Sequence, residues 1–261
     1  MAEVPPTYAA KLRHVLNTVS RALTPLEEAL VPFRCLAAKQ VAHGKKPALT
    51  AVLAVLIRWP DLSLAQHLVQ GFPIVGVLAH SGVFRPVRQE GKAALSEWLG
   101  PSADADVRRL VHSRPPLHSD AIHQITLEEI DKGFCSPLRS LKVMDDLFGQ
   151  GGWRAVERFL IIQPDGQQGA IDNARKCGHN HHTTMPETIS TVNVDFVAAV
   201  ARMVDSAFDL DRTPPPSWLD LRLGTDDLPE AYRGLPVCDE HLCYSDVAIF
   251  VPHVGWRFTT M

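Results

Sequence analysis

Apolar residues at the start of the chain recur every three or four positions. Tyr8, Leu12, Val15, Leu16, Val19 and Leu23 fall on one face of a helix. Pro25 lies where that helix stops or a second one starts. The run 48–57 is apolar apart from Thr50 and rich in Ala and Leu, which predicts a buried helix rather than a strand. Leu62, Leu64, Leu68 and Val69 predict a short helix ending at Gly71. Residues 72–76 read as extended. Two more helices are predicted over 90–98, stopped by Gly100-Pro101, and over 104–112, stopped by Pro115-Pro116.

From residue 125 the pattern changes. Thr126-Leu127-Glu128-Glu129 has a cap residue followed by acids, which predicts a helix start, and Gly133 predicts its end. Residues 158–163 are rich in strand formers. Pro164-Asp165-Gly166 is a turn composition, and 168–171 returns as a partner strand, so a β-hairpin is predicted over 158–172. Val194, Val197, Val200, Ala201, Val204 and Phe208 predict an amphipathic helix over 193–208. Pro214-Pro215-Pro216 is a stiff break. Leu219, Leu221 and Leu223 alternate with Asp220 and Arg222 as in a strand, and 244–251 is a further strand candidate. The fold class expected is α+β: a mainly helical region over 1–124, then a mixed unit over 125–261.

Composition narrows the class. The chain has 261 residues, 46% hydrophobic and 21% charged, which suits a globular protein and excludes gross disorder or a fibrous rod. Twenty prolines against 16 glycines imply many short elements. No apolar run approaches the ~20 residues that cross a bilayer. The N-terminus lacks the basic-then-apolar layout of a signal peptide. A cytoplasmic or nuclear location without membrane contact is expected. Five cysteines, an odd number widely spaced, predict reduced thiols. Residues 1–60 hold eight Lys/Arg and three Asp/Glu, a balance of +5, whereas residues 61–261 hold 18 and 26, a balance of −8. That distribution does not describe a protein wrapped in nucleic acid. The basic residues Lys11, Arg13, Arg21, Arg34, Lys39, Lys45 and Lys46 form no single stripe, so a solvated helix face accounts for them.

The most informative feature is a strand that ends in acids. Gly224-Thr225-Asp226-Asp227 is followed by Leu228-Pro229-Glu230-Ala231-Tyr232 and Arg233-Gly234-Leu235-Pro236-Val237. A carboxylate at a strand end can be held rigidly and can bind a hard cation. Strand, acid, an aromatic five residues on, a Leu-Pro-Val turn and another strand together resemble the first catalytic motif of reverse transcriptases. Upstream, the 158–166 hairpin arm, Ala170-Ile171-Asp172, Arg175 and Asn180 resemble the fingers hairpin of the same enzymes. The similarity spans about residues 126–251 and is to the reverse-transcriptase regions of retrotransposons. It implies the fingers and the first part of a palm, acting on an RNA or DNA template–primer and a deoxynucleoside triphosphate with Mg²⁺. It implies Asp227 as the catalytic metal ligand of a two-metal nucleotidyl transfer. Tyr232 would be the gate beneath the sugar, with Arg158, Gly166, Asp172 and Arg175 near the nucleotide.

Three departures qualify what the resemblance implies. Gln167, Gln168 and Gly169 stand where the family places a lysine and an arginine, and uncharged Gln is a poor phosphate partner. The second catalytic motif, an aromatic followed by paired aspartates, is not found in the 261 residues. A partial palm would leave an unpaired sheet edge. The chain is therefore expected to be inactive alone, as a polymerase fragment or a decayed copy. Two rival classes are a non-enzymatic remnant binding nucleic acid or protein, and a zinc-stabilised interaction module. Asp227 also reads as a turn residue before Pro229, Asp226 fits the spacing to Tyr232 less well, and Tyr232 also reads as a core aromatic. For zinc, Cys177 and His179 lie in the run 177–182, and Cys238 and Cys243 are separated by four residues. Only one of those clusters has a Cys pair, which makes zinc a poor fit.

Overall fold

The computed structural model describes residues 6–87, 94–189, 202 and 233–261. The predicted helix over 193–208 (Arg202 apart), the predicted strand 219–223, and Asp227 and Tyr232 lie outside the described residues. The fold is α+β. It opens with α1 (Pro6–Ala22), α2 (Thr24–Leu30), α3 (Leu36–Val41), α4 (Pro47–Leu56) and α5 (Leu64–Gln70). Short strands β1 (Gly76–Val77) and β2 (Arg85–Pro86) follow, then α6 (Leu95–Trp98), α7 (Pro101–Val111), α8 (Ser119–Asp131) and α9 (Leu141–Phe148). The second half holds β3 (Ala155–Ile162), β4 (Gln168–Asp172), β5 (Thr183–Thr184), β6 (Glu187–Thr188), β7 (Asp246–Val251) and β8 (Gly255–Thr260). No helix among the described residues is long and apolar enough to cross a membrane.

The main sheet has the order β4-β3-β7-β8, with β3 and β7 parallel and the outer pairs antiparallel. β7 (Asp-Val-Ala-Ile-Phe-Val) is apolar on both faces because helices cover both. On one face Ala248, with Trp256 and Phe258 of β8, packs on Val107 of α7, Met144 of α9 and Trp153. On the other, Val247, Ile249 and Val251 pack on Ile122 of α8. Trp153 meets Phe258 edge-on at 4.9 Å and donates its indole N–H to Asp145 at 3.1 Å, so its one polar atom is satisfied.

Local signals fixed several elements and misplaced others. The helix ending at Gly71 forms, and Gly71 has φ +87°, which only glycine adopts without strain. The predicted helix start at Thr126 is corrected: α8 begins at Ser119, and Thr126 is fully buried inside it. Its hydroxyl donates to the Ile122 carbonyl at 2.8 Å, so this Thr turns back on its own helix instead of capping one. The 48–57 helix exists as α4 but is not buried throughout. Pro47, Ala48 and Ala54 are buried, while Val55, Leu56 and Ile57 are 64–70% exposed. The 244–251 strand starts later, at Asp246, because Asp239–Tyr244 winds into a 3₁₀ helix. Of the helix predicted over 90–98, Leu95–Trp98 is described and forms α6.

The two halves of the chain interlock. β1 pairs with β5, β2 pairs with β6, and Phe72 bridges to Val237. The boundary drawn at 124/125 falls inside α8.

Candidate functional site

The hairpin forms over the predicted residues, with Arg158 opposite Asp172 and Ile162 opposite Gln168. At its tip the Gly166 N–H donates to the Gln163 carbonyl and the Gln163 N–H to the Gln167 carbonyl, at 2.9 and 2.8 Å. Gly166 has φ +87°, as a three-residue hairpin loop requires at its last position. Gly166 is exposed at the tip, and Arg175 is exposed beyond the end of β4.

At the foot of the hairpin sits a charge cluster. Arg158 has no exposed surface. Its Nε and Nη2 donate to the two oxygens of Asp172, at 2.7 and 3.2 Å, in a two-pronged grip. Its Nη1 donates to Glu129 at 2.6 Å and to the Thr126 hydroxyl at 3.0 Å. Thr126 and Glu129 lie three residues apart on α8, which puts them on one helix face. Arg233 completes the ring, with Nε to Glu129 at 2.8 Å and Nη1 to Asp172 at 3.3 Å. Burial works against the charge on Arg158, but Asp172 and Glu129 outweigh it and hold its pKa above the usual value. Two cations and two carboxylates alternate, so no charge in the ring is left without an opposite neighbour.

The resemblance to reverse transcriptases implies Arg158 and Asp172 near a nucleotide. The geometry spends Arg158 on the carboxylates around it, which makes it a residue that holds the hairpin foot. Glu129, Thr126 and Arg233 were not singled out as site residues. The available signal for Arg233 was its place directly after Tyr232. A cavity of about 750 Å³ adjoins the ring; Asp172, Arg233, His179, Tyr244, Val247 and Met261 are among its walls.

The Cys/His run serves packing. His182 stacks on Trp98 with centroids 4.3 Å apart, Tyr244 lies parallel to the same indole at 5.3 Å, and His179 meets it edge-on at 4.7 Å. The Arg154 guanidinium sits 5.4 Å from the Trp98 ring centre. His179 Nε2 donates to the Tyr244 carbonyl at 2.7 Å, and burial lowers its pKa, which favours the neutral ring. Cys177 accepts the Glu157 N–H through sulfur at 3.3 Å. The Cys238 N–H is tied to Phe72 and the Cys243 carbonyl to Arg154. Among the described residues no three His, Cys, Asp or Glu side chains form a group that could hold a metal ion. Burial raises the pKa of all five thiols, to about 11 for Cys135 and Cys243, so none is an activated nucleophile.

The class of protein these features define is an α+β chain with a charge-locked hairpin on the edge of its main sheet. Comparison with family models, with curated proteins and with solved structures returned no match.

Proposed function

We propose that residues 125–261 are a reverse-transcriptase-like fingers and partial palm from a retroelement. The ancestral reaction is template-directed DNA synthesis from deoxynucleoside triphosphates on an RNA or DNA template–primer. The observation that carries this reading is the docking of Arg233. It directly follows Tyr232, and it is held by Glu129 and by Asp172 at the hairpin foot. The chain just past the Asp227–Tyr232 motif is thereby anchored to the hairpin, as a shared nucleotide site requires.

In this reading Asp227 supplies a metal-binding carboxylate and Tyr232 the sugar gate. Magnesium would orient the phosphates and neutralise their charge when bound. Arg158, Asp172 and Glu129 act as positioning groups, Gly166 lets the tip turn, and Arg175 offers an exposed cation near the foot. An aromatic followed by paired aspartates, the second motif, does not occur in these 261 residues, so this reading assigns them no polymerase activity by themselves.

The test is photo-crosslinking with an azido-substituted dATP and Mg²⁺, with adducts mapped by mass spectrometry. Adducts within 158–175 and 227–233 that unlabelled dATP competes away support the proposal. Adducts scattered over the surface, or resistant to competition, contradict it.

A further inference from the structure

The hairpin carries a second feature, independent of any role at a nucleotide. β3 pairs with β7 only through Ala155, Val156 and Glu157. From Arg158 onward β3 and β4 form a two-stranded ribbon among the described strands. Such a ribbon is marginal in water on its own. Its outer face is apolar: Phe159, Ile161 and Ile171 are 37%, 43% and 42% exposed, and Phe159 stands opposite Ile171.

Among the described residues β4 is also an open edge. The Asn173 N–H donates to the Glu157 carbonyl and the Gln167 carbonyl accepts from Gln163. Odd-numbered residues of β4 thus turn their backbone groups toward β3, and Gln168, Ala170 and Asp172 turn theirs outward. The Asp172 carbonyl is taken by the Ala174 N–H. The remaining outward groups have no backbone partner among the described residues. Edge strands are normally protected by Lys, Pro or a bulge. Here no Lys or Arg occurs between Arg158 and Arg175, and β4 reads Gln-Gly-Ala-Ile-Asp. The absence of cations that weakens this hairpin as a phosphate grip also removes its protection against strand pairing.

We infer that β4 is a self-pairing edge, and that its partner is a second copy of this chain joined antiparallel about Ala170. The register is self-complementary. Ala170 faces its own copy across the two-fold axis, in a pair that exchanges two N–H···O bonds. Gln168 falls opposite Asp172 of the partner subunit, an amide beside a carboxylate, and no like charges meet. Gly169 falls beside Ile171 of the partner subunit, leaving room for that side chain on the apolar face. The two ribbons then form one four-stranded sheet whose outer apolar residues adjoin. A lone charged ligand explains neither the open backbone nor the exposed Phe and Ile.

The test is sedimentation equilibrium of the full chain from about 1 to 100 µM, a range that brackets ordinary micromolar association. Hydrogen exchange at the 168 and 170 amides is read over the same range. The expected result is a monomer–dimer equilibrium with both amides slowing as the dimer fills. Gly169→Lys breaks the pairing without strain, because nothing lies within 4 Å of a Cβ built there. Ala170→Pro removes an outward N–H and no ladder bond to β3. Each variant should weaken association at least tenfold while leaving the monomer's melting temperature unchanged. A monomer at every concentration overturns the inference. So does a dimer that survives both variants but is lost in Leu56→Glu, which would assign contact to the exposed end of α4.

Discussion

Asp246 offers the clearest quantitative test of the packing. It opens β7, has no exposed surface, and its Oδ1 accepts the Thr260 hydroxyl at 2.6 Å. Oδ2 has no hydrogen-bond partner among the described residues. Burial pushes the carboxyl up to about 8, and Thr260 and Arg139 offset only part of that. An unfolded Asp titrates near 3.9. Between pH 4 and 8 the unfolded chain therefore has a charged Asp246 where the folded chain has a protonated one. The unfolded state binds fewer protons, so this group makes stability fall as pH rises through that window. Roughly four pH units at ~1.4 kcal/mol each give a loss on the order of 5 kcal/mol. Asp246→Asn keeps the acceptor and cannot ionise. Urea unfolding of both proteins from pH 4.5 to 8.5 isolates the effect, because all other groups cancel in the difference. The variant should gain on the parent steadily with pH, by several kcal/mol in total. A flat difference, or one running the other way, would refute the reasoning.

Four more outcomes follow from the structure. Arg158→Ala leaves Asp172 and Glu129 facing each other with Arg233 alone between them, and should cost about 3–5 kcal/mol in urea melts. Arg158→Lys should recover only part, since one ammonium cannot reproduce the grip on Asp172 and the bonds to Glu129 and Thr126 together. His179, lowered by burial, stabilises the fold above its unfolded pKa of about 6.5, and that share is lost as pH falls through the folded value. His179→Gln should flatten the acid limb of the stability curve in the Asp246→Asn background. The raised thiols predict slow alkylation by iodoacetamide at pH 7.5 in the folded protein and fast alkylation in urea; rapid labelling of Cys35 or Cys135, the two buried thiols, in the native protein would contradict this.

The legible parts of the fold were those with a local cause. The 158–172 hairpin was readable because Pro164-Asp165-Gly166 dictates its turn, and α5 because Gly71 can take a positive φ. β8 was missed although it directly follows β7. Its turn uses His253 at φ +62° and Gly255 at φ +94°, with no Asn-Gly or Pro-Gly signal to mark it. Thr126 looked like a cap because cap and interior Thr differ only in which carbonyl or N–H the hydroxyl finds. The charge ring was hidden for a different reason. Its members are assembled across the chain, with Arg233 reaching Glu129 over 104 residues. Opposite charges that far apart give no periodicity to read. Trp98 likewise meets His179, His182 and Tyr244 only after the two halves interlock.

The central functional claim is that the Asp227–Tyr232 motif and the hairpin form one nucleotide site. It is tested most directly by calorimetric titration of dATP into the full chain, with and without Mg²⁺, for the parent and Asp227→Asn. The account predicts saturable binding that requires Mg²⁺ and weakens at least tenfold in the variant, about 1.4 kcal/mol. Absence of binding, or equal affinity in both proteins, would contradict it.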